Sequence, residues 1–246
     1  ILNHKSICEK NVVIPETVEH GGKTYRVTKL LGGAFVQDTI KSAVLPKSVE
    51  EIGASAFFLS TIESISPLYC KKIGDNIFKD CICLKNVDMS RCTFDTMPVA
   101  VFHKNHALQW IKLPKTLVSC GERNTNFLFN MESLKFVIVP PSVQHYFISV
   151  DGFNDTSSNF PTIFLSENPP KRIHTSAHQG IIHRKVFFPC EYDSAYLKSD
   201  WGTVYVPAKS YHFLNLDSGY IDLDSVCPWE VERLYGFHPD TVGVYI

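Results

Sequence analysis

The sequence lacks the motifs on which many catalytic sites depend. Its 246 residues contain no G-x-S-x-G nucleophile elbow, no G-x-x-x-x-G-K-[ST] phosphate loop and no G-x-G-x-x-G fingerprint after a strand. Residues 21–24, Gly-Gly-Lys-Thr, lack the spacing of a phosphate loop and precede residues typical of a strand, so they are predicted to form a hairpin turn. The sequence therefore contains no convincing catalytic constellation, and we predict that the chain is not an enzyme.

Charge and hydropathy exclude two broad classes of partner. The 24 basic and 25 acidic residues give a formal net charge of −1, so no overall positive field attracts nucleic acid or an anionic membrane. No run of about 18 apolar residues occurs, and we expect no transmembrane segment in this chain. The apolar share of 44% and the charged share of 20% are ordinary for a folded domain and exclude a disordered chain.

The strongest pattern that is present is an internal repeat. Four phenylalanines recur at spacings of 22, 21 and 24 residues, and a proline column and a glycine column accompany them. A short period with fixed columns is typical of a solenoid, because a unit of this size buries its apolar face only against its neighbours. We expect the four phenylalanines to be almost fully buried and stacked on one another. These are the columns: Phe35, Phe57, Phe78 and Phe102; Pro46, Pro67, Pro114 and Pro140; Gly53, Gly74 and Gly121.

Short β-prone runs end at several of the prolines and predict one strand per repeat in a parallel sheet. They cover residues 42–45, 110–113 and 136–139, with similar runs at 162–165 and 203–206. Residues 186–201 instead suggest a strand, a proline and a short helix that ends near Trp201, with Asp193 or Ser194 as its cap. We therefore divide the chain into a solenoid over residues 1–165 and a closing unit over residues 166–246.

Two segments resemble a known repeat family. Residues 45–57, Leu-Pro-Lys-Ser-Val-Glu-Glu-Ile-Gly-Ala-Ser-Ala-Phe, are similar to the irregular leucine-rich repeat of BspA-like surface proteins, also called the Treponema pallidum type. Residues 13–27, with their Gly-Lys-Thr-Tyr hairpin, resemble the first unit of that family. The resemblance implies an α/β-type solenoid with a parallel sheet on one face, a C-terminal cap, no cofactor and an extracellular or cell-surface location. Leu31 and Pro98 stand where the pattern has glycine, so those repeats should be locally irregular.

The eight cysteines do not have zinc spacing, since the nearest pair is Cys81-x-Cys83. Cys70 and Cys120 fall in apolar columns, where a buried thiol behaves as a small hydrophobic group. They lie two repeats apart, roughly 9–10 Å at the spacing of parallel strands, which is beyond the reach of a disulfide. We therefore predict mostly free thiols and no bond between Cys70 and Cys120.

Strand alternation predicts which side chains face away from the core. The residues one and three before each proline should point inward, and those two and four before it should point outward. Later repeats have large outward residues on successive strands, and a contiguous apolar patch usually marks a contact surface. The alternative is that the C-terminal tail or a second copy of the chain covers the patch. The predicted ligand-binding residues are Trp110, Lys112, Phe136, Ile138 and Phe164.

Two groups of residues offer a weaker case for metal binding. His174, His178 and His183 could hold zinc if the first two lay one helical turn apart, but Thr175, Ser176 and Gly180 suggest a loop. Residues 151–155, Asp-Gly-Phe-Asn-Asp, do not have the ligand order of an EF-hand and are predicted to be a polar surface loop. The pair His103 and His106 is predicted to lie in a solvated turn.

The sequence thus favours a secreted or surface-anchored binding module that recognises a protein or a glycan, as in adhesion. Two alternatives remain, namely a metal-dependent enzyme that uses the C-terminal histidines and a spacer that displays another domain. Nucleic acid is not an expected partner, no cofactor is predicted, and the ligand and oligomeric state are not indicated by the sequence.

Overall fold

A computed structural model of the chain describes residues 10–120, 128, 131–134, 137–148, 162–164, 166, 168, 172–175, 186–189, 194–195 and 208–211. These residues form short strands joined by turns, and successive coils of the chain stack into a solenoid. Most of its pairings join one coil to the next in parallel. The predicted parallel-sheet solenoid is therefore confirmed.

The first strand of each coil contributes to a five-stranded parallel sheet, and the next short strand contributes to a three-stranded one. The five-stranded sheet has the order β1 (Lys10–Val13), β5 (Ile40–Val44), β7 (Ser64–Ile65), β9 (Asn86–Asp88) and β10 (Trp110–Lys112). The three-stranded sheet consists of β4 (Lys29–Leu30), β6 (Glu51–Ile52) and β8 (Lys72–Ile73).

Two further parallel sheets follow along the chain. The first consists of β11 (Ser119–Cys120), β13 (His145–Ile148) and β15 (Arg172–Thr175). The second consists of β12 (Val137–Val139), β14 (Thr162–Phe164), β16 (Val186–Pro189) and β17 (Ala208–Tyr211).

An antiparallel hairpin, β2 (Thr17–His20) and β3 (Lys23–Arg26), lies between the first two strands of the five-stranded sheet in the chain. Its turn residues Gly21 and Gly22 have φ angles of 57° and 72°. A two-residue turn with positive φ at both positions matches the twist of the flanking strands, and glycine adopts it without strain. The hairpin predicted at this position is confirmed.

The predicted inward positions are confirmed before Pro46, Pro114 and Pro140. The strand before Pro67 departs from the rule, because Ile65 two residues before the proline is buried and Ser64 three residues before it is exposed. The inward positions of the first strands are buried, and they include Leu45 and Leu113 one residue before the prolines. Side chains between them are at least partly exposed on the other side of the sheet. The buried members three residues before the prolines or in the equivalent register are Ala43, Ile65, Val87, Ile111 and Val137.

A column of stacked phenylalanine rings runs through the core. The ring centroids of successive members lie 5.2, 5.4 and 5.8 Å apart, and the planes are within 19° of parallel. Phe57, Phe78 and Phe102 are fully buried. The expectation of near-complete burial is wrong for Phe35, which is only partly buried because no earlier ring among the described residues covers its outer face.

The α/β description is not confirmed, because the segments that carry the phenylalanines are turns. They cover residues 32–37, 54–59, 75–80 and 99–104. Residues such as Ser55 and Leu59 have positive φ angles of 57° and 59°, and left-handed residues cannot continue an α-helix. Alternate backbone amides of these turns also donate to the next coil and not to their own turn. The amide of Phe57, for example, donates a hydrogen bond of 2.9 Å to the carbonyl of Ile77.

The glycine column exists because backbones of adjacent coils approach closely there. A Cβ atom added to Gly53 would lie 2.3 Å from the backbone nitrogen of Gly32, and one added to Gly74 would lie 2.4 Å from that of Ala54. Leu31 takes the equivalent place in the first coil, and its side chain is 68% exposed. The irregularity expected at Leu31 is absent, because the amides after it make the usual bonds to the next coil.

The coil that contains Pro98 is irregular, as predicted. Its second strand is reduced to a single bridge between Thr96 and Ser119, and the three-stranded sheet ends one coil earlier, at β8. Proline has no amide hydrogen to donate to a ladder, which fits an interruption at this point.

The C-terminal assignments fall largely on residues outside those described. Among the described residues only Ser194 and Ala195 have helical backbone, so the predicted helix ending at Trp201 and the C-terminal cap are not confirmed. No helix within the described ranges has the length and hydropathy needed to cross a membrane. The division at residues 165 and 166 stays a prediction.

Candidate binding face of the five-stranded sheet

One register position of the five-stranded sheet forms a row of side chains on the side away from the core. Each member is the Cα partner of the next across adjacent parallel strands, so the row crosses the sheet along the stacking direction. We call these five residues the outward row. They are Asn11, Ser42, Ser64, Asn86 and Trp110.

Trp110 ends the outward row and is held in place by a neighbouring cation. The Nζ atom of Lys112 lies 5.5 Å from the centre of the Trp110 ring and 3.6 Å from Oδ2 of Asp88. The other carboxylate oxygen of Asp88 accepts hydrogen bonds from the hydroxyl and the amide of Ser90, at 2.6 and 3.0 Å. Trp110 and Lys112 are partly exposed while Ile111 between them is buried, which places both predicted residues on the outward side.

The side chains of the other three predicted residues lie outside the part of the chain that the structure describes. Phe136 lies outside the described residues, and Ile138 and Phe164 are described only as strand backbone. The register pairs Ile138 with Ile163 and pairs Phe164 with Val139, which is buried. Phe164 is thus one register position away from the partner of Ile138. The run at residues 162–165 is followed directly by Ser166 and not by a proline, so the sequence did not fix its register.

Polar side chains directly after the turns form a hydrogen-bonded column that was not predicted from the sequence. The amide of Cys81 donates to Oδ1 of the buried Asn105 across 2.9 Å, and the thiol of Cys81 donates to the carbonyl of Phe57, also across 2.9 Å. The hydroxyl of Ser60 lies 3.5 Å from the same sulfur. Ser60, Cys81 and Asn105 each follow their phenylalanine by three residues, and this fixed offset is the signal that could have revealed a structural polar column.

Ion pairs between coils line the edges of the sheets. Lys29 donates to Oε1 of Glu51 across 2.8 Å, and Lys85 donates to Oε2 of Glu63 across 2.8 Å. These hydrogen bonds hold the pKa of both glutamates below the ordinary value. Because the charges are paired within the protein, these edges offer no strong site for an anionic or cationic ligand.

The described cysteines are free thiols, as predicted for them: Cys70, Cys81, Cys83, Cys92 and Cys120. Burial raises the pKa of Cys81 to about 12, and burial likewise raises the pKa of Cys120. A hydrogen bond with Cys92, together with burial, raises the pKa of Cys70. Buried thiols in this state are poor nucleophiles and poor metal ligands.

The structure gives no support to a metal centre in the part of the chain it describes. No group of three or more potential metal ligands occurs there. His174 lies in β15 and not in the predicted loop, while His178 and His183 fall outside the described residues, as does the acidic segment 151–155. His103 lies in a turn and is half-buried, and burial lowers its pKa.

The repeat columns and the stacked coils agree with a comparison against protein families. The model described as "BspA type Leucine rich repeat region" matches residues 28–159 in six copies, which is more than half of the sequence. The chain belongs to the BspA-type leucine-rich repeat family. Comparison with curated proteins gives no match for this BspA-type chain.

Solved structures of bacterial leucine-rich repeat proteins have a similar fold. The leucine-rich repeat protein of Treponema pallidum is 20% identical with a TM-score of 0.53, and the alignment covers 80% of this BspA-type chain and 85% of that protein. A leucine-rich cell-surface protein of Faecalibacterium prausnitzii is 16% identical with a TM-score of 0.44, covering 74% and 64% respectively. The first of these likenesses shows the fold of the chain.

Proposed function

We propose that this BspA-type repeat chain is a non-catalytic binding module that contacts a protein or a glycan through the outward side of its five-stranded sheet. The observation that carries the proposal is the position of Trp110. It is a large aromatic side chain that lies outside the core, partly exposed, beside Lys112 at 5.5 Å. A folded chain gains little by leaving tryptophan partly exposed, and aromatic residues are among the strongest contributors to binding energy.

The local structure around Trp110 supports this role because neighbouring side chains contact the ring and one another. Asp88 holds Lys112, and two hydrogen bonds from Ser90 hold Asp88. Binding to an aromatic ring that is already held by its neighbours costs less conformational entropy than binding that must first order a mobile side chain. Phe136, Ile138 and Phe164 stay predicted members of the patch, and the register pairs Ile138 with Ile163 and Val139 with Phe164.

The proposed module is secreted or displayed at the cell surface and takes part in recognition or adhesion. We propose this location because the chain belongs to the BspA-type family. Its repeat columns resemble those of BspA-like surface proteins.

A binding screen of the intact chain against extracellular matrix proteins and immobilised glycans tests the proposal. Trp110→Ala should weaken binding of the ligand that is found by about tenfold or more, which corresponds to about 1.4 kcal/mol or more. Ile82→Ala is the matched control, because Ile82 is a large apolar side chain with 56% exposure in a turn away from the sheet. Unchanged binding by Trp110→Ala, with folding verified by circular dichroism, would refute the proposed face.

A further inference from the structure

We propose that the ligand of this face is an uncharged, linear polysaccharide that lies across the strands along the outward row. This inference rests on the proposed function and narrows it to one class of ligand. Three features of the face support it: the chemistry of the five residues of the row, their spacing and the pairing of the charges around them.

The outward row offers hydrogen-bonding groups that the protein does not use. Ser42 donates to Oδ1 of Asn11 across 2.8 Å, but the side chains of Ser64 and Asn86 make no hydrogen bond within the described residues. An amide and a hydroxyl each both donate and accept, which suits the hydroxyl groups of a sugar. The partly exposed ring of Trp110 completes the row with an apolar surface against which the C–H face of a pyranose can pack.

The spacing of the row suits a chain of repeated units. Adjacent strands lie about 4.8 Å apart, so the five residues span roughly 19 Å. The spacing of about 4.8 Å between adjacent strands is close to the length of one pyranose ring in an extended polysaccharide. A linear glycan laid across the strands would therefore meet one side chain of the row per sugar, whereas an extended peptide presents alternate side chains to opposite sides and does not match this period.

The charges beside the row favour an uncharged ligand. Lys112 lies 3.6 Å from Asp88, and Lys85 contacts Glu63 at 2.8 Å, so the two lysines that neighbour Trp110 and Asn86 are each paired with a carboxylate. An acidic polysaccharide would find no excess of positive charge, in agreement with a net charge of −1 for the whole chain.

The experiment uses the full chain and neutral oligosaccharides as probes. Cellohexaose, xylohexaose, mannohexaose and laminarihexaose are titrated by calorimetry, with polygalacturonate and heparin as acidic comparisons. We expect binding of at least one neutral hexasaccharide and weaker binding of the matching disaccharide. Trp110→Ala should reduce affinity about tenfold or more, Asn86→Ala about threefold to tenfold, and Trp110→Phe less than Trp110→Ala.

Several outcomes overturn the inference, and they separate it from the proposed function. Binding restricted to the acidic polysaccharides, or neutral binding unaffected by Trp110→Ala and Asn86→Ala, would overturn it. The absence of glycan binding, together with a protein ligand that Trp110→Ala releases, would leave the proposed function standing and end this inference. Ile82→Ala serves as the control for each probe, and thermal unfolding verifies that every variant is folded.

Discussion

The rings of Phe57 and Phe78 are stacked with their centroids 5.4 Å apart and their planes 19° from parallel, although 21 residues separate them. Both side chains are fully buried, and each also stacks on a ring of another coil. The column therefore joins each coil only to its immediate neighbours. This arrangement makes the stability of the solenoid a property of the contacts between adjacent coils.

Removal of a ring from the middle of the column should be costly. Phe57→Ala is expected to lower the free energy of unfolding by about 3–5 kcal/mol, because a fully buried ring leaves a cavity. Phe35→Ala should cost about half as much, since Phe35 is only partly buried at the end of the column. Urea unfolding of both variants gives the comparison, and an equal loss would contradict the unequal burial.

The close approach of backbones at the glycine column predicts a difference between two glycines. Gly53→Ala should destabilise the protein by about 1–3 kcal/mol, because the new methyl group would lie within 3 Å of three backbone atoms of the first coil. Gly32→Ala is the matched control, with its nearest neighbour, the carbonyl oxygen of Ala54, at 3.1 Å. In thermal unfolding, Gly53→Ala should have a clearly lower midpoint temperature than Gly32→Ala. The opposite order would disprove this explanation of the glycine column.

The left-handed backbone of the turns predicts a stabilising substitution. Leu59 has a φ angle of 59° and its side chain is 42% exposed, so leucine is strained there and gains little from burial. Leu59→Asn should raise stability by up to about 1 kcal/mol, because asparagine tolerates this conformation better. Ile82→Asn, at an exposed position without positive φ, should show no such gain in chemical denaturation.

The buried thiol of Cys81 predicts a loss of stability in alkali. Its pKa rises from 9.0 to about 12 on folding, so above pH 9.0 the unfolded chain releases a proton that the folded chain keeps. Stability from this group is complete below pH 9.0 and declines up to about pH 12, by at most about 1.4 kcal/mol per pH unit.

Urea unfolding between pH 8 and 11 in reducing buffer measures this slope. Cys81→Ala should make the dependence on pH shallower, even though the variant is less stable throughout. Ile62→Val is the control, because it removes a methyl group from a fully buried side chain without removing a titrating group. Equal slopes for wild type and Cys81→Ala would show that Cys81 does not cause the alkaline loss.

The sequence predicted the columns of the fold because their causes are local and repeated. A packing or backbone requirement explains each of these signals. They are the recurrence of Phe57 and Phe78, the prolines after the first strands, and the glycines Gly21 and Gly22 in the hairpin turn. The alternation of buried and partly exposed residues from Trp110 to Leu113 follows from the period of a strand. The outward position of Trp110 could be predicted by the same rule.

Other features depend on contacts between coils that no single segment reveals. The resemblance implied an α/β-type solenoid, and the turn at residues 54–59 could not be predicted in place of a helix because its bonds to the next coil cannot be read from its own residues. The hydrogen bond between Cys81 and Asn105 joins positions 24 residues apart, in two different residue types. The level of Phe164 could not be fixed either, because register on β14 is set by pairing with β12 and no proline marks the end of the strand.

The interruption near Pro98 has a mechanical consequence for a chain of this shape. A pull along the stacking direction loads the boundaries between coils in series, so the boundary with the fewest bonds gives way first. The boundary before the coil of Phe102 has no second-strand ladder, since the three-stranded sheet ends at β8 and Thr96 bridges only to Ser119. One backbone bond, from the amide of Thr93 to the carbonyl of Cys70, crosses the boundary in this region. Under tension the solenoid should part there before it parts between the coils of Phe57 and Phe78, where β6 pairs with β8. Such a break would leave Phe35, Phe57 and Phe78 on one side and Trp110 on the other.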